Sequence, residues 1–183
     1  TFLGGAGSYA DIVPASFIYN DFSINTVFSE LMFMSVGATT ATVVNETGYG
    51  TTFEKCVWRG VTGDAVKLLL TAPVEINYSF LAHFYRCDIA FVTGKGLNIQ
   101  GANCLVLDSC ALQWCDQAIY ADPVSALGQV RGLSIRACWF EANTAWDMYL
   151  TSSSSYWCEA SIDGCQFSGA RKIQLGAKSR LIA

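Results

Sequence analysis

The stretch at 133–143, LSIRACWFEAN, places apolar side chains at Ile135, Cys138 and Phe140. The alternation of inward and outward side chains that marks a β-strand is therefore broken once, between Ile135 and Cys138. Two short strands that share one interior and meet at a two-residue corner, here 136–137, produce such a break. The stretch therefore predicts a strand, a corner and a second strand.

The same unit recurs along the chain, with an apolar residue at position 1, a small or apolar residue at position 4 and an apolar residue at position 6. The six copies are Phe28/Leu31/Phe33, Phe53/Cys56/Trp58, Phe84/Cys87/Ile89, Leu107/Cys110/Leu112, Ile135/Cys138/Phe140 and Ile162/Cys165/Phe167. Consecutive copies are 23 to 31 residues apart, which is typical of one coil of a solenoid whose insertions collect in the turns. The repeat predicts a backbone that winds around a single interior.

A short alternating strand follows most corners. These later strands are Val66-Lys67-Leu68, Leu97-Asn98-Ile99, Ile119-Tyr120, Met148-Tyr149-Leu150 and Ile173-Gln174-Leu175. Each coil is thus expected to hold three short strands, and the chain about six to seven coils of an all-β parallel β-helix. A β-sandwich also has short strands at regular spacing, but it gives no reason for cysteine to recur at one phase.

The opening stretch, together with IDGCQF at 162–167 and LDSCAL at 107–112, resembles the coils of right-handed parallel β-helix proteins of the pectate-lyase-like class. The resemblance covers residues from about 25 to 178. It implies that 136–137 and 163–164 lie in the tight turn that joins the second and third strands of a coil. The class commonly carries Asn at the corner where this chain has Cys, which implies a different internal ladder.

Residues 1–24 lack the repeat and contain Gly4, Gly5, Gly7 and Pro14. They predict a loop-rich initial segment, followed by a parallel β-helix domain at 25–183. Solenoid ends expose strand edges that need covering. We therefore expect either a fragment of a longer chain or a subunit whose open surface meets identical copies.

The composition fits a protein with an extensive apolar interior and excludes two classes of partner. The chain is 52% hydrophobic and 14% charged, with a net charge of −4 and a pI of about 4.8. Nucleic-acid binding requires a basic surface, which this sequence lacks, and an anionic membrane is a poor partner for the same reason. The longest apolar runs are too short to cross a bilayer, so we expect no membrane insertion.

Five of the eight cysteines share position 4 and are expected to stack inward, about 4.8 Å apart on successive coils; they are Cys56, Cys87, Cys110, Cys138 and Cys165. Buried thiols act there as small apolar groups. No Cys-x-x-Cys pair accompanies the single histidine, His83, so zinc spacing is missing. We expect no metal and no cofactor, with a disulfide as the weaker alternative. Unpaired thiols favour synthesis in a reducing cytoplasm.

The outward positions of the later strands mix amides, phenols and a carboxylate, groups that suit sugar hydroxyls and the C–H faces of sugar rings. The predicted substrate-binding residues are Asn98, Tyr120, Trp146, Tyr149 and Gln174. Two alternatives stay open. Amides on stacked strands can ladder with one another, and Trp146 can lie under a loop or in a subunit contact.

Hydrolysis of a glycosidic bond usually needs two carboxyl groups. Asp116, Glu141 and Asp147 flank the loop before the later strands, and two of the three are expected to face one cleft as general acid and base. Asp64 is a further carboxylate of this kind. At position 2, Arg136 is expected between Asp108 and Asp163 on adjacent coils, which favours a surface ion-pair ladder.

A β-helix with open ends, an apolar exterior and a sugar-like face also resembles part of a bacteriophage tailspike. The resemblance implies a homotrimer of the virion tail that is made in the host cytoplasm and acts at the bacterial cell surface. It further implies binding and cleavage of capsule or O-antigen polysaccharide, the activity of a glycoside hydrolase or depolymerase. The alternative is a glycan-binding or purely structural shaft without catalysis, since a fold alone does not fix chemistry.

Overall fold

The computed structural model describes residues 18–20, 25–34, 41–45, 50–68, 79–123, 129–151, 156–168 and 172–183. Within these ranges the chain forms β-strands and no helix. The strands are β1 (Ile18–Asn20), β2 (Val27–Ser29), β3 (Met32–Phe33), β4 (Ala41–Asn45), β5 (Thr52–Glu54), β6 (Val57–Val61), β7 (Asp64–Leu68), β8 (Ser79–Phe80), β9 (His83–Tyr85), β10 (Asp88–Ile99), β11 (Ala102–Asn103), β12 (Val106–Asp108), β13 (Ala111–Ala121), β14 (Val130–Arg136), β15 (Trp139–Glu141), β16 (Trp146–Leu150), β17 (Cys158–Asp163), β18 (Gln166–Ser168), β19 (Ile173–Leu175) and β20 (Ser179–Ile182).

Eighteen of these strands stack in three parallel ladders, and β8, β11 and the start of β14 form a further, shorter parallel row. The first ladder is β2, β5, β9, β12, β14, β17 and β20. The second ladder is β3, β6, the start of β10, the start of β13, β15 and β18. The third ladder is β1, β4, β7, the end of β10, the end of β13, β16 and β19. The chain is therefore a parallel β-solenoid with three strands per coil, as the repeat predicted.

Four coils are described without interruption from first strand to third: coil 1 (52–68), coil 2 (83–99), coil 3 (106–121) and coil 4 (133–150). The prediction of six to seven coils was too high, and the structure supports about four complete ones. The sequence count took every copy of the repeat as a full coil. The first and last copies are described only in part, because residues 35–40 and 169–171 lie outside the described ranges.

The interior is built from like side chains stacked on successive coils. At position 1, the ring of Phe53 stacks on Phe28 at 5.1 Å between centroids and on Phe84 at 4.8 Å. At position 6, Phe140 and Phe167 stack at 4.9 Å. Because neighbouring parallel strands lie about 4.8 Å apart, each ring meets its counterpart at contact distance, and each fully buried ring contributes about 2–3 kcal/mol to folding.

The position-4 cysteines form the predicted inward column. Cys56, Cys87, Cys110 and Cys138 are buried, Cys165 is partly buried, and all eight cysteines are free thiols. The thiols of Cys56, Cys87 and Cys110 donate to the backbone carbonyls of Phe28, Phe53 and Phe84 on the preceding coil, each at 3.3 Å. The thiols therefore satisfy backbone acceptors inside the solenoid as well as filling space.

A residue in the left-handed α region forms each predicted corner. At position 3 of the six copies, Glu30, Lys55, Arg86, Ser109, Ala137 and Gly164 have φ between 48° and 59°. The N–H of Ala137 donates to the carbonyl of Asp163 on the next coil at 2.9 Å, so the corner also links coils. The interpretation of 136–137 as a corner is confirmed.

Two further columns of positive φ mark the other bends of the coil. One column precedes position 1 by three residues and comprises Asn25, Gly50, Leu81, Cys104 and Gly132. The other follows position 1 by seven residues and comprises Gly60, Phe91, Trp114 and Ala142. Each coil thus turns three times at constant phase, which keeps the three ladders in register.

The third ladder includes a strand from the predicted initial segment. Strand β1 lies at 18–20 and pairs in parallel with β4. The remainder of the predicted initial segment, 1–17 and 21–24, lies outside the described residues.

Candidate functional site

Four of the five predicted substrate-binding residues form one column on the third ladder. Asn98, Tyr120, Tyr149 and Gln174 are register partners on successive strands. The ring of Tyr149 lies 5.5 Å from that of Tyr120 and 5.9 Å from that of Trp146, centroid to centroid. The structure therefore gathers these five residues into one patch, which we call the third-ladder face.

Tyr120 is held firmly within this face. Its hydroxyl donates to Oδ2 of Asp122 at 3.0 Å, and the ammonium of Lys95 lies 3.9 Å from its ring centroid, a favourable cation–π geometry. Burial, and then the hydrogen bond to Asp122, raise the pKa of Tyr120 to about 12. Tyr120 therefore stays protonated and supports the neighbouring ring of Tyr149.

Asn98 connects two coils and has little surface of its own. It is 4% exposed, and its Nδ2 donates to Oδ2 of Asp64 at 2.6 Å. Its Oδ1 and the Oε1 of Gln117 are buried and accept no hydrogen bond from the described residues. Buried polar atoms normally form hydrogen bonds, so these two oxygens can accept hydrogen bonds from water or from a ligand.

Asp147, one of the predicted catalytic acids, lies beneath the surface. It is 6% exposed; its Oδ1 accepts from Nδ2 of Asn143 at 2.9 Å and its Oδ2 from the N–H of Lys172 at 3.0 Å. Oδ1 of Asn143 in turn accepts from the N–H of Cys115 at 3.0 Å. A buried carboxylate with both oxygens bonded favours a structural role over a catalytic one.

The other two predicted acids lie at one bend, between the second and third ladders. Asp116, on coil 3, is half-buried and accepts at Oδ1 from the hydroxyl of Thr144 at 3.0 Å. Glu141, on coil 4, is half-buried at the end of β15, where it pairs in register with Gln113. The structure therefore brings Asp116 and Glu141 to neighbouring coils at the same bend.

The same bend carries two aromatic residues that the sequence analysis missed. Phe91 and Trp114 are 45% and 41% exposed, and their rings stack at 4.8 Å with planes 3° apart. The guanidinium of Arg59 lies 5.4 Å from the Phe91 centroid, while the next coil has only Ala142 at this phase. Phe91 thus covers one face of the Trp114 ring, and the other face is on the side of the small residue Ala142.

The signal that could have identified this pair is their common phase, seven residues after position 1 in consecutive copies. Bulky residues rarely adopt positive φ, so sequence rules expect glycine there, as at Gly60. Two exposed aromatic residues in that conformation, with φ of 56° and 49°, mark a place where local strain accompanies a flat apolar surface.

A further acid, Asp88, was also missed. Burial raises the pKa of its carboxyl group, and the positive charge of Arg59 opposes the shift. Its Oδ1 is buried and accepts no hydrogen bond within the described part of the chain. A perturbed carboxyl next to the Arg59–Phe91 contact is a candidate functional group.

The predicted ion-pair ladder at position 2 is not formed. Asp108, Arg136 and Asp163 are register partners as expected, but Nε of Arg136 donates to the Ser134 hydroxyl at 3.1 Å. The salt bridges among the described residues join Lys55 to Glu30 at 3.3 Å and to Glu54 at 3.8 Å. The position-2 column is therefore a polar surface without the predicted pairing.

Among the described residues, no three His, Cys, Asp or Glu side chains are grouped so as to hold a metal ion. The same ranges contain no helix long and apolar enough to cross a membrane. Comparison with protein-family models, with curated proteins and with solved structures finds no match to this chain.

Proposed function

We propose that this chain binds bacterial surface polysaccharide, capsule or O-antigen, along the third-ladder face. The observation that carries the proposal is the row of partly exposed rings, Tyr120, Tyr149 and Trp146, on two successive coils. Such rings pack against the C–H faces of pyranoses, while amides and phenols bond their hydroxyls. Gln174, exposed on the next strand of the column, extends this surface along the axis.

The Phe91–Trp114 stack supports an extended contact rather than a single sugar pocket. It lies at the bend that leads from the second ladder into the third, on coils 2 and 3. Beside it, Ala142 leaves room over the open side of the Trp114 ring for a further sugar. A polymer that follows coils 2 to 4 meets aromatic surface at both places.

The proposal is tested by titrating the protein with a panel of capsular and O-antigen polysaccharides. For the polymer that binds, Tyr149→Ala and Trp146→Ala are each expected to weaken affinity by about tenfold, because stacked aromatic residues dominate contact energies. Trp139→Ala is the matched control, since Trp139 is an exposed tryptophan on the second ladder. Unchanged binding in both test variants would remove the third-ladder face as the site.

Hydrolysis of the bound polymer is the second candidate, favoured by the placement of Asp116 and Glu141 at one bend next to Trp114. Asp116 follows Gln113, the register partner of Glu141, by three residues. A bend at this point can bring the two carboxyl groups toward the roughly 6.5–9.5 Å separation used by inverting glycosidases. Under this proposal Asp116→Asn and Glu141→Gln abolish release of reducing ends while binding persists. Binding with no product from the unaltered protein would leave the non-catalytic function.

We further propose that the chain belongs to a homotrimeric fibre of tailspike type in a virion tail. Exposed Met32 and Met34, within and beside strand β3, support it, because exposed apolar side chains favour contact with another subunit. Light scattering is expected to give three times the chain mass. A monomer that still binds polysaccharide would contradict the trimer, and a trimer that binds none would favour a structural shaft.

A further inference from the structure

A depression of about 390 Å³ opens near the starts of β14, β17 and β20, on strands other than those that carry the third-ladder face. It is lined by Arg131, Trp157, Glu159 and Arg180. Glu159 and Arg180 are register partners on β17 and β20, and the adjacent pairing of Val130 with Cys158 places Arg131 beside Glu159. Three charged side chains, positive, negative and positive, therefore stand on consecutive turns of the solenoid.

The two guanidinium groups lack an ionic partner in the described part of the chain. Neither Arg131 nor Arg180 forms a salt bridge with another described residue, even with Glu159 between them. Nε of Arg131 donates to Oε1 of Gln129 at 2.7 Å, which orients the guanidinium. In a chain with a net charge of −4, two unpaired arginines at one depression indicate an anionic ligand.

Trp157 adds a flat apolar surface to this anion site. Its side chain is 54% exposed, and its backbone carbonyl accepts from the N–H of Val130 at 3.1 Å, which fixes the residue at the rim. An indole beside two guanidinium groups matches a ligand that carries both a negative charge and a ring with C–H faces.

We propose that this depression binds a carboxylated pyranose, a unit of uronic-acid type in an acidic polysaccharide. Arg131 and Arg180 bind the sugar carboxylate, Trp157 packs against the ring, and Glu159 accepts hydrogen bonds from ring hydroxyls. The volume falls within the range of small-ligand sites, about 300–1,000 Å³. The site is separate from the third-ladder face and does not depend on the function proposed for it.

The charge balance favours a carboxylate over a phosphate. Two arginines and one glutamate leave a single positive charge, which a carboxylate neutralises. A dianionic phosphate would face the uncompensated carboxylate of Glu159 at short range, and like charges at short range repel.

The test is a titration of the full chain with methyl glucuronide, followed by the indole N–H resonance of Trp157 and the Nε–H resonances of the arginines in NMR spectra. Saturable shifts are expected at these groups, with methyl glucoside and inorganic phosphate binding about tenfold more weakly or not at all. Arg131→Ala, Arg180→Ala and Trp157→Ala are each expected to weaken glucuronide binding by about tenfold. These side chains are exposed, so the variants are expected to keep the fold, which circular dichroism checks.

A control variant separates this site from the rest of the surface. Arg86→Ala removes an exposed arginine that stacks on Tyr85 and is expected to leave binding unchanged. Equal affinity for glucuronide and glucoside, tighter binding of phosphate, or glucuronide binding that survives Arg131→Ala would overturn the assignment. Loss of glucuronide binding in Tyr149→Ala would also overturn it, because it would place the ligand on the other face.

Discussion

Ala137 illustrates how one backbone conformation, repeated at one phase, turns strands into coils. Its φ is 48°, a region that costs an L-residue about 1–2 kcal/mol. Two contributions offset this cost. The corner directs Ile135 and Cys138 into the same interior, and the N–H of Ala137 donates a hydrogen bond of 2.9 Å to the carbonyl of Asp163 on the next coil. Gly164 occupies the equivalent position one copy later and avoids that cost.

Ala137→Gly is expected to raise the free energy of unfolding by up to about 1 kcal/mol, because glycine adopts positive φ without strain. Ala137→Val is expected to lower it, since a β-branched residue is disfavoured there. Urea unfolding of each variant measures the change. Ala111→Gly, in strand β13, is the control and should destabilise; the same sign at both positions would contradict the argument.

Buried thiols such as those of Cys115 and Cys158 are chemically protected in the folded protein. Burial raises the pKa of Cys115 and of Cys158 to about 12. At pH 8 only about one thiol in ten thousand at such a site is ionised, and the thiolate is the reactive form. Cys104, by contrast, is exposed at a bend.

We therefore expect a thiol reagent at pH 8 to label one cysteine, Cys104, rapidly, and the remaining cysteines only after denaturation. The number of thiols labelled against time gives the readout. Cys104→Ser should abolish the fast phase, and a fast phase that remains in that variant would show that the interior column is accessible.

At the scale of elements, the Asn143–Asp147 pair joins coil 4 to the chain that follows it. Asp147→Ala would leave the Asn143 amide and the Lys172 N–H without their acceptor, and removing one partner of a buried bond costs about 1–3 kcal/mol per group. We expect the free energy of unfolding to fall by about 2–4 kcal/mol. Thermal or urea unfolding measures this, with Glu141→Gln as a control that changes it by less than about 0.5 kcal/mol.

The outcome also decides the role of this acid. A stable Asp147→Ala variant that has lost activity on a polysaccharide would restore the catalytic interpretation. A destabilised variant would confirm that the carboxylate holds two elements together.

Sequence alone could predict the strands and the third-ladder column, because a coil of fixed phase dictates which residues stack. Ile135, Cys138 and Phe140 fix the corner, and Tyr120 and Tyr149 follow in register from it. Asp147 could not be placed in this way: it lies at the phase of Ala118, a small buried residue, because the bend shifts the alternation. Nor could sequence alone show that Arg131 and Arg180 lie near each other, since the two residues are far apart in the sequence and only the fold brings them together.

For the whole molecule, the raised thiol pKa values predict loss of stability in alkali. The pKa values of Cys110, Cys115 and Cys158 are about 12 in the fold against an ordinary value of 9.0. A raised folded pKa stabilises the protein below the unfolded pKa, and this stability is lost as pH rises through the folded value. We expect the melting temperature to fall steadily from pH 9 toward pH 12. The Cys104→Ser variant should show the same slope of melting temperature against pH. A constant melting temperature over this range would contradict the prediction.

The backbone bonds between coils run along the axis of the solenoid, from one turn to the next. A pull applied at the two ends therefore loads the outermost turn first, and the molecule peels one turn at a time. A sideways load is shared by all three ladders at once, so the rod resists bending. A group attached to the side of the solenoid is therefore held rigidly, whereas tension along the axis is released in successive small unfolding steps.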